Sequence, residues 1–397
     1  MQNILDRILT TLRSERLKKY WDDFYLVPFA IFDEKDVLLF NHPKCNGETY
    51  IKLAKTKQFQ ACTCILFEEV PTAIVDMTLY QSFEEIYSLL VHESFHVFQH
   101  LSGESRYPDE IVGFNYPIDF KNIELRIIER ERLFEAFVST NLKEKQQKIN
   151  EFITLRDKRT ALFPDYVGYE NAIETIEGPA FYVEYKALND VSSNQENAIN
   201  KYVEQLLDSN LSHINIRSSC YNSGLFICLL LDDISKVWKV EFMQSNVSLY
   251  SFFKNNCPAY TPVEITIPNN SEEVFPIINK AETTKSIAFK KFNESEGIKL
   301  IISGAIKLIG FDPMNIIQLN KQALHHNFLN VRIRDKDYFI KQSVCTTFGN
   351  DFSAIQLIEL FLNQPSIKMD NRIIIENIGE IEGTIIFQES NIIHIFV

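Results

Sequence analysis

Apolar and polar positions follow two different periods along this chain, and the switches between them divide it. The stretch MQNILDRILTTLRSERLKKYW carries charge throughout, with apolar residues at helical spacing, and predicts an amphipathic helix. Four extended segments follow: FYLVPFAIFD, DVLLFNHP, ACTCILFEE and PTAIVDMTLY. They are rich in β-branched and aromatic residues and broken by Pro, Asn and Gly. At Ser82 the period becomes helical. Ser82 suits an N-cap, Glu84 and Glu85 fall in the first turn, and Gly103 stands just past the end. Phe83, Ile86, Tyr87, Leu90, Val91 and Phe98 spread apolar surface so broadly that this helix is expected to be buried.

Residues 120–160 read as two charged helices with apolar stripes, and FPDYVGYEN as a turn. AIETIEGPAFYVEYKAL is the next helix, and SGLFICLLLDDISKVW is among those after it. Turn residues cluster between Pro262 and Lys285. Beyond them SIAFKKF, IKLIISGAIKLIGF, FLNVRIRDKDYFIKQ, GTIIFQ and IIHIFV are strand-like. The pattern predicts an α+β chain. Residues 1–265 would form a small sheet plus a mainly helical bundle, and residues 280–397 a separate β-rich domain. A length of 397 residues suits two domains, and no internal repeat is evident.

The predicted buried helix carries YSLLVHESFHVFQH, with His92, Glu93 and His96 as H-E-x-x-H. Residues i and i+4 of a helix project from one face, so two imidazoles there can each give a nitrogen to one tetrahedral cation. Glu93, offset by one residue, flanks such a cation. From there it can take a proton from a water that the cation has acidified. Burying two histidines and a glutamate without such partners would be costly. His100 shares the face but lies eight residues from His92, about 12 Å along the axis, too far for the same ion. It reads as a supporting or structural residue.

A catalytic zinc needs one more protein ligand and one open position. Glu177 in ETIEGPAFYVEY is the best candidate, because Gly178 and Ala180 beside it would let its helix approach the histidine helix closely. Glu174 and Glu184 share its face, and either could accept the outer N–H of a ligand histidine. Glu124, Glu129, Glu131 and Glu135 remain as alternative third ligands, Glu129 ranking highest, chiefly as a supporting residue.

Charge and cysteine content narrow the field. A net charge of −13 without a basic cluster argues against a nucleic-acid partner. The longest apolar run, GLFICLLL, is far too short to span a bilayer, and the first helix lacks the apolar segment and cleavage site of a secretory signal, so no membrane association is expected. Seven cysteines, an odd number, scattered from Cys45 to Cys345 fit reduced thiols in a cytoplasm. Cys62 and Cys64 are better explained as strand residues on one face than as metal ligands.

With HESFHVFQH, RIIERERLFEAF and ETIEGPAFYVEYKAL in hand, the chain resembles the gluzincin class of zinc metallopeptidases. Within that class it is similar to poorly characterised bacterial members whose third ligand is the Glu of an E-G-x-A segment. Those proteins often continue with a Tyr-x-x-Gly helix ending in Leu-Leu-Asp and a nearby Trp. Here Tyr221, Gly224, Leu230, Leu231, Asp232 and Trp238 occur in that order, and the likeness covers roughly residues 60–245. It implies a zincin-like fold for the first domain, one zinc per chain on His92, His96 and Glu177, and Glu93 as general base in peptide-bond hydrolysis. Two features depart from thermolysin-like enzymes: the interval from His96 to Glu177 is longer, and Phe181 stands where the orienting aspartate of E-x-x-x-D would be.

A donor facing the developing oxyanion is also required, and Tyr221 is the first choice, with Tyr182 and His213 behind it. An exposed strand before the histidine helix, PTAIVDMTLY, would hold an extended peptide or protein substrate by β-augmentation. Two other functions are compatible with the same residues. One is a zinc hydrolase acting on a non-peptide amide or ester; the other is a non-catalytic scaffold whose C-terminal β domain binds a protein partner. In that domain His325 and His326 are adjacent and read as loop residues.

Overall fold

The computed structural model describes residues 2–397 except 115, 194–197, 258–259, 268–270, 350–353, 364–366, 370 and 390. It is an α+β structure, 49% helical and 24% strand, with a small N-terminal sheet, a helical region and a β-rich C-terminal region. The chain divides into two compact units. The first comprises Met1–Pro108, Glu124–Ser212 and Ile216–Pro268; the second comprises Asp109–Ile123, His213–Asn215 and Asn269–Val397.

Helices α1 (Gln2–Thr11) and α2 (Ser14–Tyr20) precede five strands: β1 (Phe29–Phe32), β2 (Asp36–Phe40), β3 (Tyr50–Ala54), β4 (Thr63–Phe67) and β5 (Val70–Asp76). Their order in the sheet is β3-β2-β1-β5-β4, with β1 and β5 parallel and the other pairs antiparallel. Alternate residues face opposite ways. Phe29, Ile31, Ala73 and Val75 therefore join the large helical core, while Ala30, Phe32, Val37, Leu39 and Ile74 form a smaller one with Phe59 and Phe67. The segment PTAIVDMTLY supplies β5, which is interior: β1 covers one edge and β4 the other. β4, not β5, is the edge strand on that side.

The helices that follow are α3 (Phe83–Leu101), α4 (Glu110–Phe114), α5 (Phe120–Val138), α6 (Leu142–Leu162), α7 (Pro164–Val191), α8 (Asn200–Leu207), α9 (Ser209–Ile214), α10 (Ile216–Ile234), α11 (Trp238–Met243) and α12 (Leu249–Asn256). A capping box starts α3: the Ser82 hydroxyl accepts from the Glu85 N–H at 3.2 Å, and the Glu85 carboxylate accepts from the Ser82 N–H at 3.3 Å. FPDYVGYEN is not a turn but the first turns of α7. Pro164 occupies the opening turn, where its missing N–H costs nothing, and burial of Val167, Tyr169 and Glu170 outweighs the poor propensity of Gly168. Pro179 consequently lies deep inside α7, far from its N-terminus. α7 and α10 cross at Gly178 and Gly224; a Cβ built on Gly224 would lie 2.6 Å from the Gly178 Cα, so only glycine fits.

In the second unit α13 (Ser271–Asn293) replaces the expected strand SIAFKKF. Phe289 and Phe292, three apart, share a helical face buried with Leu324 and Cys345. A nine-stranded sheet is built on β6 (Ile298–Phe311), which pairs antiparallel with Leu329–Ile333 and Ala354–Leu362 and parallel with Ile392–Phe396. Cross-strand rows Ile358–Ile302–Ile395 and Leu360–Leu300–Ile393 face one core, which also takes Ile373, Ile375 and Ile381 of a three-stranded sheet. His325 ends a strand and is not a loop residue. It is buried with its Nε2 3.0 Å from the Thr346 hydroxyl, while His326 lies past the strand end in the loop, as expected, and is exposed.

Candidate metal centre

The site forms where α3, α7 and α10 meet. His92 and His96 project from one face of α3, and α7 brings Glu177 against them. The ring nitrogens His92 Nε2 and His96 Nε2 are 3.0 Å apart. Glu177 Oε2 lies 3.2 Å from His96 Nε2 and 3.7 Å from His92 Nε2. A tetrahedral cation with bonds of about 2.0–2.1 Å has ligand–ligand edges of about 3.3–3.4 Å, and these three distances bracket that length.

The outer atoms of both rings show why the inner ones converge. His96 Nδ1 is 2.8 Å from Gln99 Oε1, and the Gln99 amide donates at 2.9 Å to the Ile176 carbonyl. That second bond orients the amide so that its oxygen faces the ring, and His96 Nδ1 carries the proton. His92 Nδ1 is 3.0 Å from a Glu184 carboxylate oxygen, and the buried Tyr202 hydroxyl donates to the same carboxylate at 3.1 Å. With a proton on each Nδ1, two imidazole lone pairs and one carboxylate oxygen face a common point. Such a donor set fits a cation and suits zinc.

Electrostatics agree with the geometry. Burial alone would lower the His92 pKa, but Glu184, Glu93 and Glu177 raise it to about 9, so without a cation the ring holds a second proton that a metal ion would displace on binding. Burial would raise Glu177, yet His96, Arg217 and His92 hold it near 2, so it is ionised. The Glu93 carboxyl is pushed above its usual range, chiefly by burial, with His92 and His96 opposing. It is 7% exposed.

α10 supplies two further groups. The Arg217 guanidinium donates to Glu177 Oε1 at 2.8 Å. Tyr221, one turn on, lies with its ring 6.3 Å from that of His92 and bonds to Glu177 and Arg217. Burial and the Glu177 charge push its hydroxyl well up, so it stays protonated. Phe181, in the place of the expected aspartate, packs edge-on against His92 and Tyr221.

Other candidates stand elsewhere. Glu174 and Glu129 pair with Arg156, Glu174 also accepting from Ser223. Their carboxylates serve a buried ion network, not the histidines. Glu135 pairs with Arg132 and Lys148, Glu131 is exposed, and Glu124 is buried on α5. Among the described residues the group able to hold a metal is His92, His96 and Glu177. His100 is exposed in the last turn of α3, so it supports neither ring. Tyr182 donates to Asp232 at 2.7 Å and is part of the core. His213 falls in the second compact unit. Burial pushes the Cys62 thiol up to about 12 and Cys64 to about 11, so both are held as thiols and not as thiolate ligands.

Sequence reasoning missed Gln99, Tyr202 and Arg217. Gln99 and Arg217 each had a signal, at i+3 from His96 and i−4 from Tyr221; Tyr202 had none. Among the described residues no helix is long and apolar enough to cross a membrane. Set against known protein families, curated proteins and solved structures, the chain finds no match.

Proposed function

We propose that the chain is a zinc-dependent peptidase of the gluzincin type, with a zincin-like first domain. The observation that carries this reading is the convergence of His92 Nε2, His96 Nε2 and Glu177 Oε2 within 3.0–3.7 Å, with Glu93 buried beside them. Zinc held there would polarise a scissile carbonyl and acidify a water. Glu93, with its pKa raised by burial, accepts the water's proton and returns it to the leaving amine. Tyr221, a neutral O–H bonded to Glu177 in the free site, would turn to donate to the oxygen on which charge develops. Glu184 and Gln99 keep both imidazoles in the tautomer that offers Nε2.

Substrate binding follows from the sheet. Among the described residues no strand covers the outer edge of β4, and Cys64 on β4 lies within electrostatic reach of Glu93. An extended peptide adding to that edge would bring its backbone towards Glu93.

Metal content by elemental mass spectrometry, followed by digestion of a peptide library, tests this. Wild type is expected to hold about one zinc per chain, Glu177→Ala to lose most of it, and Glu93→Gln to retain zinc without cleavage. Wild type empty after zinc is supplied would overturn the proposal. Zinc retained by a protein that cleaves esters or non-peptide amides but no peptide would leave a hydrolase of another class.

A further inference from the structure

The two oxygens of Glu177 have different environments, and this bears on how the site stays open. Oε2 faces the histidines, while Oε1 accepts from the Arg217 guanidinium at 2.8 Å in a part-buried, charge-assisted bond. A carboxylate beside a dication can bind through one oxygen or chelate through both. Chelation by Glu177 would add a fourth protein donor to a site with three, raising the coordination number to five with water bound and crowding the position a substrate must use. To chelate, Glu177 would have to turn Oε1 towards the cation and lose its bond to Arg217.

We infer that Arg217 is a positioning residue that restricts Glu177 to single-oxygen ligation and so keeps one coordination position open. The inference rests on the proposed metal site and assigns to this chain a device that H-E-x-x-H and the third glutamate do not contain. Arg217 is fixed for the task. It enters α10 one turn before Tyr221, its side chain is 13% exposed, and its guanidinium lies 5.9 Å from the Tyr221 ring. The glycine crossing further along brings α10 close enough to α7 for this reach. Arginine suits the role because its planar, permanently charged fork holds one carboxylate oxygen in a fixed direction.

Cobalt(II) substitution reads the coordination number directly, because visible d–d bands are intense in four-coordinate sites and weaken on expansion to five. Full-length wild type, Arg217→Met and Arg217→Lys would be titrated with cobalt(II), and azide then added to each. Methionine keeps most of the aliphatic stem, which guards folding while removing the donor. Wild type is expected to give intense bands that azide perturbs. Arg217→Met should bind cobalt with a several-fold loss of band intensity and at least about tenfold weaker azide binding, with Arg217→Lys between them. Identical intensity and azide affinity in wild type and Arg217→Met would overturn this inference and leave the metal site standing. Wild type that binds no cobalt would overturn both. If Arg217→Met does not fold, Arg217→Lys decides alone: unchanged bands with an ammonium in place of the fork would show that the directional bond is not needed.

Discussion

Gly178 and Gly224 touch backbone to backbone, and a Cβ on either would fall within 2.6–2.8 Å of the other's Cα. This crossing sets the distance between the helix that carries Glu177 and the helix that carries Arg217 and Tyr221. Gly224→Ala must push the helices apart, since the obstructing atoms are main chain. Overpacking of this kind costs typically about 1–3 kcal/mol. Beyond stability, zinc affinity should fall, because Glu177 loses its register with α10. Gly168, also on α7, has open space where a methyl group would sit, with nothing within 4 Å. Gly168→Ala should therefore be neutral or stabilising by up to about 1 kcal/mol. Urea unfolding of both variants, with zinc competition against a chromophoric chelator, checks the contrast. Equal stability in the two would refute the packing argument.

Glu184 sits two turns beyond Glu177 on α7, and its carboxylate is 3.0 Å from His92 Nδ1. Replacing this anion by a neutral amide weakens the acceptor and lets the ring move its proton to Nε2, where it would block ligation. Glu184→Gln should weaken zinc binding by roughly 10–100-fold, the usual cost of losing such a partner. Tyr202→Phe, which removes only the 3.1 Å bond to Glu184, should cost less. Chelator competition at neutral pH gives both values. An unchanged affinity in Glu184→Gln would mean that His92 is oriented by packing against Phe181 and Tyr221 instead.

What the sequence made legible was local. Ser82, Glu85 and the four-residue interval between His92 and His96 lie at one helix, where spacing dictates direction, so the capped start and the paired rings could be read directly. Glu184 could be named from its place on the Glu177 face, and Gln99 stands at i+3 from His96. Which of Glu174 and Glu184 meets His92, and the reach of Arg217 and Tyr202, depend on the angle at which helices cross, which no period encodes. The misplacements have the same origin. FPDYVGYEN carries turn residues, but Pro164 at a helix start and a buried Tyr169 favour helix. SIAFKKF is rich in strand formers, yet Phe289 and Phe292 are buried together on one helical face. The β5 segment carries the continuous apolar run Ala73–Val75, the mark of a strand buried on both faces, and it lies between β1 and β4.

Behind the site four arginines and three glutamates interlock four helices. Arg156 of α6 holds Glu129 of α5 at 2.6 Å and Glu174 of α7 at 2.8 Å, Arg159 and Arg126 share Glu170, and Arg130 donates to the Ser219 carbonyl of α10. All are buried. Arg156→Met would leave Glu174 without its cation and Glu129 with Arg159 alone, and breaking a buried pair costs about 3–5 kcal/mol. Because Glu174 precedes Glu177 by one turn, the variant should also bind zinc less tightly even where it remains folded. Thermal unfolding with and without zinc separates the two effects. A loss within the range of a surface pair, under about 1 kcal/mol, would show that the network is solvated.

In the second unit the sensitive group is His325. Its ring is buried against Thr346 and its pKa is lowered to about 4, by burial first and His326 second. A histidine whose folded pKa is depressed stays neutral in the native state while the unfolded chain takes up a proton. Its contribution to stability is therefore complete above the unfolded value of about 6.5 and is lost as pH falls towards 4. Between pH 7 and pH 5 the loss should be on the order of 2 kcal/mol. His325→Gln keeps a polar group near Thr346 but cannot titrate, so it should lower stability at pH 7 and flatten the change down to pH 5. Urea unfolding at both pH values, followed by limited proteolysis to assign the transition to the β-rich unit, gives the comparison. Parallel pH profiles in wild type and His325→Gln would place the acid sensitivity on other groups.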